Sequence, residues 1–163
     1  MKLIKLYNKQ HPDYFTKVSD RDYEYLNQWK WHLMINKKSK RVLRQKNTKG
    51  EVQTYVMSRE IMLPEKHMDV DHISGDTLDN TRENLRVCTR SQNIMNSRIK
   101  KSNKSGIIGV HWDIGRNNWR AKITVNYKTI HLGVFKCPLI AYIMRIKGEE
   151  KYFKEYSYAK RYA

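Results

Sequence analysis

The chain has 163 residues, with 33 Lys plus Arg against 16 Asp plus Glu and a formal net charge of +17. That length permits one domain of ordinary size or two small ones, and a field of that sign attracts polyanions, nucleic acid foremost. No run approaches the roughly 20 apolar residues of a membrane span, and the solitary Cys88 and Cys137 form no C-x-x-C pair, which argues against a zinc ribbon.

The N-terminus, MKLIKLYNKQHPDYF, has neither a long apolar core nor a small-residue cleavage site, so an intracellular protein with buried, reduced thiols is expected. Leu3 to Val18 suggests one or two short strands. Asp20 to Leu26 reads as a short helix with acidic residues near its N-terminus. Trp29 to Ile35 suits a strand, and Arg41 to Met57 a hairpin turning at Asn47-Thr48-Lys49-Gly50. Together these make a small antiparallel sheet with basic residues outward. A small sheet needs large side chains for its core, so Trp29, Trp31, Tyr23 and Tyr25 are assigned mostly to packing, with base stacking as the alternative. Ser58 to Leu63 forms a short helix stopped by Pro64.

Met68 to His72 is a short strand ending in an Asp-His pair. A polar loop follows, then a second strand, Leu85 to Cys88. Thr89-Arg90-Ser91-Gln92 has the form of a capping box, so a helix starts at Thr89 and carries Asn93 in its first turn. Residues 99–105 read as a basic linker. Beyond Gly106, strands are expected at Ile107–Trp112, Trp119–Val125 and Thr129–Phe135, with turns at Gly115–Asn118 and Asn126–Lys128. Pro138 opens a helix whose Leu139, Tyr142, Ile143 and Ile146 are expected to cover the apolar face of that sheet. The opposite face is left basic and aromatic.

The residues around the Asp-His pair suit phosphodiester hydrolysis. Asp71 offers a carboxylate oxygen and Asn93 a neutral amide oxygen to a hard divalent cation, Mg²⁺ or Mn²⁺. His72, on the other side of the strand, takes a proton from water; its ordinary pKa of about 6.5 suits that at neutral pH. Asp69, Asp76 and Asp79 read as solvated loop carboxylates rather than ligands. The ordered set Asp71-His72, Asn84-Leu85-Arg86, Thr89 and Asn93 resembles the HNH endonuclease motif in its H-N-N form, most closely that of phage and intron-encoded homing endonucleases. The resemblance implies a ββα-metal finger at residues 68–97, with His72 as general base, Asp71 and Asn93 as metal ligands and Asn84 as the middle Asn that braces the loop. It also implies a mobile element acting in the cytoplasm of a phage-infected bacterial host. Where the family often has His before the Arg of the preceding helix, this chain has Ser58. No structural zinc is expected, because the two cysteines are distant in sequence.

Gly109-Val110, Trp112, Trp119-Arg120-Ala121, Ile123, Leu132-Gly133 and Phe135 resemble the plant Apetala-type, or ethylene-response-factor, DNA-binding domain. By that likeness His111, Trp112, Arg116, Trp119, Arg120, Lys122, Thr124 and His131 contact duplex DNA. A strand face fits a major groove about 12 Å wide. The expected architecture is α+β: a nuclease segment at 1–98, the linker, and a three-stranded antiparallel sheet packed on one helix at 106–163. The expected activity is a homing-type cut in duplex DNA. One site per chain implies nicking by a monomer, with the oligomeric state open. The alternatives are a non-catalytic DNA-binding regulator and an RNA-directed protein.

Overall fold

The computed structural model describes residues 1–8, 13–36, 39–97, 99 and 101–157. Arg98, which closes the expected nuclease segment, Lys100 of the expected linker, residues 9–12 of the expected first strand region and residues 158–163 lie outside the described residues. The architecture is mixed α+β. The chain divides into two compact units, Met1–Thr89 and Arg90–Ala163. The expected boundary at 98 therefore differs from the observed one, and the helix carrying Asn93 belongs to the second unit.

In the first unit, β1 (Lys2–Tyr7), β2 (Phe15–Val18), α1 (Asp20–Leu26), β3 (Trp31–Asn36), β4 (Ser39–Thr48), β5 (Glu51–Val56) and α2 (Met57–Met62) are followed by β6 (Asp69–His72), β7 (Asp79–Asn80) and β8 (Leu85–Cys88). One sheet has the order β5-β4-β3-β1-β2-β7; β6 and β8 form a separate pair. The expected sheet was antiparallel, but the observed one is mixed, because β1 runs parallel to β3 and β2 parallel to β7. Thr48 faces Glu51 across the β4–β5 hairpin, and Lys49 and Gly50 both have positive φ, 52° and 88°, as a tight two-residue turn demands. Leu6, Val18, Leu26, Trp31 and Met57 are fully buried in the core, which takes in Leu85 of β8 and so ties the strand pair to the sheet. Trp31 donates from its indole nitrogen to Leu26 O at 2.8 Å. Trp29 is instead half exposed, with the Arg44 guanidinium 4.4 Å from its ring centroid. Tyr25 is exposed and donates to Glu60.

The second unit contains α3 (Arg90–Met95), β9 (Val110–Asp113), β10 (Asn118–Val125), β11 (Lys128–Phe135), α4 (Pro138–Tyr152) and a short 3₁₀ turn, Lys154–Tyr156. Its sheet has the order β11-β10-β9, all antiparallel, and α4 packs on one face. The helix does not present the expected stripe. Leu139, Tyr142 and Ile143 are exposed, while Ala141, Arg145, Gly148 and Glu149 are buried. Small residues bring the helix close: Gly148 lies against Leu132, and Arg145 reaches through to donate to Lys122 O at 2.7 Å. Gly109 has φ +75°, and a Cβ there would collide with Lys122 O and the Arg145 guanidinium. The expected linker is wired locally: Asn103 donates to Ile107 O at 2.9 Å and Ser105 to Val110 O at 2.6 Å. Among the described residues no helix is long and apolar enough to cross a membrane.

Candidate active site

β6 and β8 pair antiparallel with Asp71 opposite Arg86 and His72 opposite Leu85. Successive strand side chains point to opposite faces, so Asp71 and His72 are presented on different sides of β6. The site is built on this ladder and on the polar loop between its strands.

Asp71 is buried, and its Oδ2 accepts from Arg86 twice, from Nε at 3.0 Å and Nη2 at 2.7 Å. Cross-strand pairing puts the two side chains on one face, and burial makes the contact charge-assisted and short. His72 Nε2 lies 3.2 Å from Asn80 Oδ1. Asn80 Nδ2 donates to Thr16 Oγ1 at 2.9 Å, and Thr16 donates to Leu78 O at 2.8 Å. These donors fix the orientation of the Asn80 amide: its nitrogen faces Thr16 and its oxygen faces the imidazole. His72 must then donate from Nε2, which leaves the lone pair on Nδ1 in the neutral ring. Asn80 and Thr16 are almost wholly buried. Their chain is anchored by the β2–β7 pairing, in which Lys17 faces Asp79 and Val18 faces Asn80.

Burial holds the His72 imidazole below the usual histidine range. The hydrogen bond to Asn80 and the charges of Asp71, Asp76 and Asp79 oppose that without offsetting it. A ring so placed is neutral at neutral pH, as a proton acceptor must be. Cys88, behind the ladder, is pushed up to about 11, first by burial and then by the Asp71 charge, and stays a neutral thiol.

Asn84 spans the loop. Its Oδ1 accepts from Ser74 N at 2.9 Å, its Nδ2 donates to Asp79 O at 2.7 Å, and its carbonyl accepts from Ile73 N at 2.8 Å, one residue beyond His72. Asp76 closes a tight turn on Leu78 N at 3.0 Å, and Asp79 accepts from the Thr81 hydroxyl at 2.7 Å. Arg82 grips Asp22 of α1 through Nε and Nη2, both at 2.8 Å at their nearest. Arg59 of α2 donates to Met68 O at 2.8 Å, fixing the entry to β6. Ser58, one residue before Arg59, is buried.

Among the described residues no three His, Cys, Asp or Glu side chains are grouped to hold a metal ion. The donors present fit a hard cation of the Mg²⁺ type, which keeps several waters and takes one or two carboxylates plus substrate phosphate. They do not make a closed cage of protein ligands. Asn93 lies on α3, in the second unit.

The C-terminal candidates divide between the two faces of their sheet. Register places His111 beside Arg120 and His131 beside Lys122, and Thr124 beside Thr129, on the face turned away from α4. Lys122 and Thr124 are exposed there. Arg120 Nε approaches Asp113 Oδ2 at 3.0 Å, as an ion pair off hydrogen-bond alignment. Trp112 faces Trp119, with ring centroids 5.4 Å apart and edge-to-face, and both share the face of Ala121 and Val110, toward the helix. Arg116 sits in the β9–β10 turn, its N–H donating to Asp113 Oδ1 at 3.3 Å.

Together, the ladder, the braced loop and the oriented histidine define a class. Residues 62–95 match the sequence profile of the HNH endonuclease family, and that stretch holds Asp71, His72, Asn84 and Asn93. Protein 3.8 of Escherichia phage T7 is 37% identical over 59 residues, which is 36% of this chain and 49% of that protein. The chain thus matches about half the length of this relative. No solved structure matches it. Sequence reasoning left Asn80 without an assigned role, named Arg86 only as part of the motif, and did not single out Thr16. Arg86 was legible in principle, since a charged residue opposite an Asp in a two-strand ladder is a pairing signal.

Proposed function

We propose that the chain is a metal-dependent endonuclease that hydrolyses a phosphodiester bond in duplex DNA. The oriented His72 carries the reading. Its Nε2 proton is committed to Asn80, which is itself held by Thr16, so Nδ1 is the basic atom. His72 Nδ1 takes a proton from water, the water oxygen bonds to phosphorus, and the bond from phosphorus to the 3′ oxygen breaks. The products are a 5′ phosphate and a 3′ hydroxyl, the departing oxygen being protonated by solvent. Asp71 would offer its carboxylate to the cation, Mg²⁺ or Mn²⁺, and the HNH resemblance implies Asn93 as the second ligand. When bound, the cation stabilises charge at phosphorus and on the departing oxygen. Asn84 keeps the loop shut behind His72.

The second unit grips the duplex through the face carrying His111, Arg120, Lys122, Thr124 and His131, in the manner its likeness to the Apetala-type domain implies. Arg116 adds a contact from the β9–β10 turn, while Trp112 and Trp119, on the helix side of the sheet, support that face from behind. One site per chain cuts one strand, so a monomer nicks, and the homing type places the preferred target in DNA flanking its own gene. The test is nicking of supercoiled plasmid, and of that flanking DNA, with Mg²⁺ or Mn²⁺ and with chelator. Metal-dependent nicks bearing 5′ phosphate support the reading. Tight metal-independent binding without a cut on either DNA would leave a DNA-binding regulator.

A further inference from the structure

Asp71 does not wait alone for its cation. Arg86 stands opposite it in the ladder and places two donors on one carboxylate oxygen, with side-chain exposures of 14% for the arginine and 9% for the aspartate. In this unit, Arg82–Asp22 ties α1 to the loop and Arg44–Glu60 ties β4 to α2, so those pairs join separate elements. β6 and β8 are already paired in register at four positions, from Asp69–Cys88 to His72–Leu85, so the Asp71–Arg86 pair joins strands that the ladder already holds together. A buried arginine does not shed its charge, so the Asp71 carboxylate faces a permanent cation across the ladder.

A cation held through the same carboxylate would stand close to the guanidinium. Two cationic groups that close in a partly buried site repel strongly. A phosphate resolves the conflict, because its oxygens accept the arginine fork and complete the cation's shell together. We propose that Arg86 is the positioning counter-ion of Asp71. It orients the carboxylate, weakens cation binding in the free protein, and moves onto the DNA phosphate when the duplex arrives. Cation and duplex then bind in mutual dependence, each raising the other's affinity by the same factor. The consequence is a protein that acquires its cation on DNA rather than in solution. The inference rests on Asp71 being a metal ligand.

The experiment measures Mn²⁺ binding to the full chain by electron paramagnetic resonance, with and without a generic duplex at low salt, in a His72→Ala background so that nothing is cut. The duplex is expected to raise Mn²⁺ affinity about ten-fold or more, within the usual range of coupling between sites. Arg86→Met is expected to bind Mn²⁺ several-fold more tightly without DNA and to lose most of the gain on adding it. Arg86→Lys keeps the charge without the fork and is expected to lie between the two. Unchanged Mn²⁺ affinity and unchanged coupling in both Arg86 variants would overturn the counter-ion role. Asp71→Asn separates the two ideas: if it binds Mn²⁺ as the natural chain does, the ligand assignment fails; if it loses Mn²⁺ while the Arg86 variants behave as the natural chain, only the counter-ion role fails.

Discussion

Two buried ion pairs, one in each unit, look alike and do different work. In the second unit Arg145 donates to Glu149 at 2.9 Å and to Lys122 O at 2.7 Å, while Ser157 donates to the other Glu149 oxygen. That network joins α4, β10 and the residue after the 3₁₀ turn, and burial holds the Arg145 guanidinium below its usual range despite Glu149. In the first unit Asp71 and Arg86 link two strands already hydrogen-bonded to each other, beside an oriented histidine. Burial and charge pairing alone therefore do not mark a site. What marks it is a pair between strands the ladder already joins, standing next to a proton acceptor.

Substitutions at the two pairs should separate these roles. Asp71→Asn is expected to lower cutting by about three orders of magnitude or more, since an activity that depends on a bound cation loses its charged ligand; circular dichroism should still show a folded chain. Arg145→Met is expected to cost about 3–5 kcal/mol of stability by leaving Glu149 buried and unpaired, read by denaturant unfolding, with cutting preserved in the fraction that remains folded. If the Arg145 variant lost cutting while keeping its stability, the contrast would collapse.

Smaller effects sharpen it. Asn80→Ala removes the acceptor that fixes the His72 tautomer, and cutting should fall by about 10- to 100-fold, as for other lost orienting partners. Duplex affinity should not change. In the natural chain the acid limb of the pH–rate profile should lie below about 6.5, because burial favours the neutral imidazole and protonation then needs a lower pH. A limb above that value would contradict the burial of the ring. Least of all, Lys122→Ala on the exposed sheet face should weaken duplex binding several-fold and reduce the salt slope by about one. Stability should move by less than about 0.5 kcal/mol.

The parts legible in sequence were those set by near neighbours. The β6 and β8 strands, the β4–β5 hairpin and the alternation of β10 follow from period-two patterns and turn residues close to them. The strand formed by Asp79 and Asn80 did not show, because what makes it one is a pairing with β2 across more than 60 residues, seen in the Thr16 bond to Leu78 O. The His72 tautomer depends on that same distant contact. The buried face of α4 was misread because a stripe of Leu, Ile and Tyr satisfies the helical period, whereas close approach was won by Ala141 and Gly148. Trp112 and Trp119 were named as DNA contacts by likeness to the Apetala-type domain, whereas strand register puts them on the face of Ala121 and Val110.

The most direct test of the central claim pairs two readings on His72→Ala: cleavage of DNA flanking the gene with Mg²⁺, and binding of the same duplex. The account predicts cleavage lower by about 10²–10⁴-fold, the usual contribution of a positioned general base, with binding unchanged. Cleavage at the natural rate in that variant would contradict it, because no other described group is held as that imidazole is by Asn80 and Thr16.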